Sequence, residues 1–288
     1  MRRGKILLLC ILMMIPSANA LVIDYTTEFQ NTIEIAALLN YCNNCTDCSE
    51  KIQNANYGDT VRLTANITNH DGTCIEFNDA DGIIFDGGNH LIDGDEDTNG
   101  YGISLAGYSN SNTLINCKIT GFYHGIYLNT ASHNTMQNIT AYSNRNGIAI
   151  FYSGYNKIRD CILQENSRHD FYFVPNTLSN CDNTLVNVTS SGNRPISFYN
   201  QSVNLQDQEF SAIYLCNADN SVLNNITIKG SDIRKNNGLR IYYTDNSNMT
   251  DVVSSDNYEG INIDNSDSNN LQNITCINDY YGINLYDS

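Results

Sequence analysis

A chain of 288 residues with 31 acidic and 15 basic side chains carries a formal charge of −16 at pH 7. A field of that sign repels nucleic acid and anionic membranes, which are excluded as partners, and favours cations and neutral or basic ones. Charge alone selects no ligand.

Arg2, Arg3 and Lys5 precede an apolar run from Ile6 to Ile15 and then Ala18-Asn19-Ala20, an A-x-A cleavage pattern. That order reads as a secretory signal peptide over residues 1–20. Its apolar run is shorter than the ~20 residues that span a bilayer, and no later segment offers a transmembrane helix. The remainder is therefore expected to be secreted or held at the cell surface. Nine cysteines follow the leader, and export permits disulfides while the odd count leaves at least one thiol unpaired.

Residues 21–80 do not repeat and read as an N-terminal cap with entering strands. Ser49 followed by Glu50-Lys51-Ile52-Gln53 predicts a short N-capped helix, with Val61-Arg62-Leu63 and Cys74-Ile75-Glu76-Phe77 as strands. Cys42, Cys45 and Cys48 are spaced like the start of an iron–sulfur run, but Ile52 stands where the fourth ligand would fall. Disulfides that staple the lid, with Cys74 a further candidate, are the expectation.

From residue 81 to 288 the chain repeats. A Gly-Ile-x-Leu-like tetrad recurs as Gly102–Leu105, Gly125–Leu128, Gly147–Ile150, Asp170–Phe173, Ala212–Leu215, Gly238–Ile241, Gly260–Ile263 and Gly282–Leu285. The step is 22 to 26 residues except for one of 42, which holds an irregular coil around Pro195-Ile196-Ser197-Phe198. Between tetrads lies an apolar-x-Asn/Asp-apolar motif, as in Leu114–Cys117, Met136–Ile139 and Leu271–Ile274. Such short alternating strands cannot bury their own apolar face, so units must stack, Ile on Ile and Leu on Leu. An all-β fold follows, a right-handed parallel β-helix of about nine coils, at ~4.8 Å per coil. The Asn at the bend suits a left-handed backbone and an amide ladder along the stack.

Gly72–Phe77, Ile83-Ile84-Phe85-Asp86-Gly87-Gly88-Asn89-His90-Leu91-Ile92-Asp93-Gly94 and the Gly-Ile-x-Leu coils resemble the β-helix repeats of NosD-type proteins, within the carbohydrate-binding and sugar-hydrolase class abundant among archaeal surface proteins. The resemblance covers roughly residues 60–288. It implies the fold, and it implies carbohydrate or copper-assembly roles that the residues must support on their own.

Pectinolytic members of this fold carry clustered aspartates, His-Gly and Arg-x-Lys. Here His124-Gly125 is present, but beyond the leader an Asp-Asp pair and Arg-x-Lys are not, and the basic residues, Arg145, Arg159, Arg194 and Arg240 among them, share no slot. His124 and His169 occupy the slot before the tetrad with Asn146 between them, about 10 Å apart and too far for joint metal ligation. Asp93, Asp95 and Asp97 could offer Ca²⁺ alternate oxygens, although Thr98 and Ser104 replace the turn glycine and closing Glu of an EF-hand, and a solvated turn is the plainer reading. No other cofactor is expected.

The middle outward slot of the tetrads reads Ser104, Tyr127, Ala149, Tyr172, Ser197, Tyr214, Arg240, Asn262, Asn284. Tyr127, Tyr172, Tyr214 and Arg240 thus form a candidate platform for sugar rings, expected exposed on one face. Of eight Asn-x-Ser/Thr sequons, Asn138, Asn187, Asn225 and Asn273 occupy the bend, which leaves Asn44, Asn66, Asn200 and Asn248 as glycosylation candidates. Cys117 and Cys161 are expected as separate core thiols, while Cys181, in an enlarged turn, and Cys216 could be bridged by that loop folding along the stack. The last tetrad leaves Ile283 and Leu285 uncovered, so further coils or a docking partner are expected there. The functional expectation is a non-catalytic surface or extracellular β-helix that binds a polysaccharide, surface glycan or other extracellular partner, or serves as a structural module. The alternative is a lyase or glycoside hydrolase of the same fold.

Overall fold

In the computed structural model, which describes residues 37–96 and 99–288, the chain is an all-β parallel solenoid of about 11 turns with little helix. The signal-peptide expectation and Asp97 lie outside the described residues. No described helix is long and apolar enough to cross a membrane.

The tetrads stack as their pattern demands. Ile103, Ile126, Ile148 and Phe171 lie in one column and Leu105, Leu128, Ile150 and Phe173 in the next, all eight fully buried. Each contributes roughly 1.5–3 kcal/mol of apolar burial. The bend asparagines have φ near +54°, and their amides run from coil to coil: Asn138 Nδ2 donates to Asn116 Oδ1 (2.7 Å), Asn187 to Asp160 (2.9 Å) and Asn273 to Asp251 (2.9 Å). A second ladder, which the bend motif does not announce, runs inside the stack. Asn134 Oδ1 accepts from Asn112 N (2.8 Å), Asn156 from Asn134 N (2.9 Å) and Asn183 from Asn156 N (2.9 Å). These buried amides satisfy turn N–H groups that neither strand pairing nor water reaches.

At the N-terminal end the helix is Cys45–Gln53, one turn earlier than expected. Asn44, not Ser49, caps it, its side chain accepting from Asp47 N (2.9 Å). Ser49 lies mid-helix and returns its hydroxyl to Cys45 O. Disulfides Cys42–Cys48 and Cys45–Cys74 staple this lid to the first coils, and Cys117 and Cys161 are separate buried thiols, as expected.

The solenoid is not one uninterrupted stack. The tetrad strands Ile75–Glu76, Tyr101–Ala106, His124–Asn129, Asn146–Phe151 and His169–Val174 form one five-stranded sheet. Ile196–Tyr199, Ala212–Cys216, Gly238–Tyr242, Glu259–Asp264 and Tyr281–Tyr286 form another, unpaired with the first. The second stack turns its outer face onto the open end of the first. Phe198, Tyr214 and Tyr242 meet Phe171 and Phe173 edge-on, with ring centroids 5.1 Å (Phe171–Tyr214), 5.1 Å (Phe173–Phe198) and 6.0 Å (Phe173–Tyr242) apart. The Tyr214 hydroxyl donates to Phe171 O, and that of Tyr242 to Phe173 O (3.1 Å).

This corner overturns half of the expected platform. Tyr214 is 1% exposed and Arg240 4%, because their outward slot faces protein instead of water. The irregular coil is also one residue out of the expected register. Ser197 pairs with Ile213 and Phe198 with Tyr214, so Phe198 is the outer residue there. The bond Cys181–Cys216 forms with Cα atoms 5.3 Å apart, but it joins the end of the first stack to the second instead of two coils of one stack.

Candidate binding cleft at the corner of the two stacks

The turn two residues before each tetrad carries Tyr123, Arg145 and Arg168 on successive coils, with Arg145 N bonded to Phe122 O (2.9 Å) and Arg168 N to Arg145 O (2.8 Å). The backbone ladder at this edge continues into the second stack. Asn237 N donates to Arg168 O (3.1 Å) and Glu259 N to Asn237 O (3.3 Å), which brings Tyr258 and Tyr280 into the same column. The loop 230–237 is clasped against the first stack by Asn236 Nδ2 on Asn166 O (3.0 Å) and by Ser231 on Glu165, and it delivers Arg234.

The result is an open cleft of about 530 Å³ whose lining includes Glu96, Tyr123, Arg145, Arg168, Arg234 and Tyr258. Arg145 lies over the Tyr123 ring (4.6 Å) and Arg168 over the Tyr258 ring (4.5 Å), which in turn stacks on Tyr280 (5.3 Å, 2°). Each of the two adjacent guanidinium groups is thus held by a ring, Arg145 by Tyr123 and Arg168 by Tyr258. Six ion pairs link the described residues, and none uses Arg145, Arg168 or Arg234. Arg168 Nε is buried without a hydrogen-bond partner. In a chain with twice as many acidic as basic residues, three convergent unpaired arginines make a local anion site.

Beneath the cleft the expected site residues divide. Arg240 is fixed by Glu259, by His169 Nε2 (2.7 Å) and by the Tyr242 hydroxyl (3.0 Å), and it lies over the Tyr172 ring (5.1 Å). It neutralises a partner inside the joint and is not offered to a ligand. Tyr127 and Tyr172 remain half-buried on the outer face of the first tetrad sheet, where Tyr101 stacks on Tyr127 (4.3 Å) and Phe151 bridges toward Tyr172 (5.4 Å). Between His124 and His169, Asn146 Nδ2 bonds His124 Nδ1 (3.0 Å). Burial, with Arg145 and Arg168 nearby, holds His124 down at about 3, and burial with Arg240 lowers His169 well below the ordinary imidazole value. Both rings are neutral at physiological pH.

Asp93 lies in the strand Leu91–Gly94 and Asp95 just beyond it. Cys45, His70 and Cys74 come within metal-ligating distance of one another, but both sulfurs are joined in a disulfide. Asn44, Asn66, Asn200 and Asn248 are all exposed. The cleft arginines are the residues that sequence reading misses. Arg145 and Arg168 do share a slot, one coil apart and two residues before the tetrad, which also holds Tyr123, Tyr258 and Tyr280. That column is readable once the repeat is aligned there; Arg234, on an irregular loop, leaves no periodic signal.

The model of the family described as a right handed beta helix region matches residues 55–202. No curated protein matches the chain. Among solved structures, an alginate lyase from Paenibacillus sp. str. FPU-7 is 14% identical, over 87% of this chain and 98% of its own, with a TM-score of 0.42. The A-module of a mannuronan C-5 epimerase of Azotobacter vinelandii is 12% identical, over 80% of this chain and 79% of its own, with a TM-score of 0.44. Pectate lyase Pel9A is 15% identical, over 83% of this chain and 72% of its own, with a TM-score of 0.37.

Proposed function

Because the chain belongs to the right-handed β-helix family, whose coils present side chains in fixed columns, we propose that it is an exported β-helix that binds an acidic polysaccharide in the corner cleft. The observation that carries this reading is the row Tyr123, Arg145, Arg168, Tyr258 with Arg234 opposite, in which no arginine has a carboxylate of its own. Tyrosine faces receive the apolar faces of sugar rings, and guanidinium forks receive carboxylate or sulfate groups in bidentate fashion. The overall negative charge does not forbid this, because charges farther than about 8 Å are largely screened at physiological salt. The sequence-level preference for neutral or basic partners is thus reversed locally.

Three disulfides fit an extracellular protein, and the leader-like residues 1–20 supply the route. The NosD-type, archaeal surface assignment belongs to this proposal, as do Asn44, Asn66, Asn200 and Asn248 as acceptors in a host that glycosylates. The rival reading, a polysaccharide-active enzyme, needs acid and base groups facing the sugar. Glycoside hydrolysis takes two carboxylates across the bond, and Glu96 is the single one among the described residues lining the cleft.

Calorimetric titration with polygalacturonate, alginate and a neutral glucan tests the reading. The acidic chains bind, more weakly as salt rises, and Arg145→Ala with Arg168→Ala lowers affinity by roughly 10- to 100-fold, as loss of charge-assisted hydrogen bonds implies. Binding that survives both substitutions removes the cleft from consideration, and release of shortened or unsaturated products replaces this reading with the enzymatic one.

A further inference from the structure

The opposite edge of the first tetrad sheet carries a feature that the cleft does not explain. At the turns leaving the tetrad strands, Tyr108, Tyr152 and Tyr155 sit in the left-handed region (φ +71°, +53° and +58°), the residues 69%, 43% and 48% exposed. Bulky side chains are disfavoured in that conformation, which asparagine and glycine adopt far more readily. The same chain shows the easier solution. In the second stack the corresponding positions are Asn217, Asn265, Asn220, Asn246 and Ser268, and the one tyrosine there, Tyr243, packs against the core. The three exposed tyrosines do not pack against the core: in ring contacts among the described residues, Tyr152 meets only Phe151 (6.2 Å) and Tyr155 only the exposed His133 ring.

We propose that this edge is a second binding site, which takes the uncharged rings of a neutral oligosaccharide. Tyr108 and Tyr152 lie in turns two coils apart, about 10 Å along the stack, Tyr108 one residue further from its strand than Tyr152, and that rise is close to the repeat of two linked pyranoses in an extended chain. His133 stacks on Tyr155 (4.8 Å, 4°) and steadies its ring. The charged neighbours select against an anionic chain: Asp79 lies against Gly107, Asp81 accepts from Asn110 N (2.5 Å) and Asp182 lies near Tyr155. A six-residue tetrad strand, about 20 Å, separates this edge from the arginine cleft, so the two sites are distinct.

The test uses the full chain with cellohexaose, mannohexaose and chitohexaose as neutral probes and polygalacturonate as the acidic one, followed by tyrosine fluorescence and calorimetry. At least one neutral probe binds the wild type. The triple variant Tyr108→Asn, Tyr152→Asn, Tyr155→Asn loses at least tenfold in that affinity, keeps its response to polygalacturonate, and melts no lower than wild type. Arg145→Ala leaves the neutral affinity unchanged, which keeps failure of the cleft reading separate from failure here. Indifference of the wild type to all three neutral probes, neutral binding retained by the triple variant, or a lowered melting temperature of that variant would overturn the proposal.

Discussion

At the level of single residues, burial at the corner sets an acid sensitivity. The folded protein holds the His124 imidazole at about 3, against 6.5 for an exposed one, so unfolding takes up a proton at any pH between the two. Stability therefore falls as pH drops from about 6.5 toward 3, by up to about 1.4 kcal/mol per pH unit for each such histidine, and His169 adds to it in the same direction. Burial raises Asp170 despite bonds from Ser190, Asn237 and Asn166, so its folded form takes up a proton before the unfolded one and opposes the loss just above 3.8. His124→Gln is expected to flatten the acid limb; equal losses of stability for variant and wild type between pH 7 and pH 4.5, measured by urea titration, would contradict this. These values are not legible in the sequence. The column His124, Asn146, His169 is visible there, but the arginines that press on it come from the neighbouring turn and from the second stack.

At the level of elements, the two asparagine ladders differ in what they satisfy. Asn134 is buried between Asn112 N and Ser109 O, so Asn134→Ala strands a buried donor and a buried acceptor and is expected to cost about 3 kcal/mol. Asn138 sits on the exposed ladder at φ +54°, where glycine is at ease, and Asn138→Gly should stay within about 1 kcal/mol of wild type. Chemical denaturation of the two variants separates the ladders, and equal costs would show that the buried one is not special. The bend asparagines are legible because an Asn or Asp recurs beside an apolar residue at the bend of successive units. The interior ones resemble any loop asparagine until the register is known. Periodicity likewise shows which tetrad residues point in, but not what the opposite side meets. Tyr214 occupies an outward slot in every reading of the repeat, and only the corner turns it into core.

For the whole molecule, the corner makes the second stack a lid for the first. Removal of Cys181–Cys216 should lower stability by roughly 2–4 kcal/mol. Tyr214→Ala, which empties the contact with Phe171 and Phe173, should cost about 3–5 kcal/mol. Thermal unfolding of both variants, followed with hydrogen exchange, is expected to show the coil around Phe171 losing protection first; unchanged protection there would mean that the two stacks stand independently. The sequence marks this place, with Asp170 in a glycine slot and a 42-residue step after it, without saying which way the chain turns. The joint also makes coil number an adjustable ruler. Each coil between the N-terminal lid and the corner bonds chiefly to its two neighbours, so an in-frame duplication of one 22-residue unit, such as residues 125–146, would lengthen the groove by one rung while both stoppers stay as they are. The length of the first stack is thus a quantity that copying a single unit can reset.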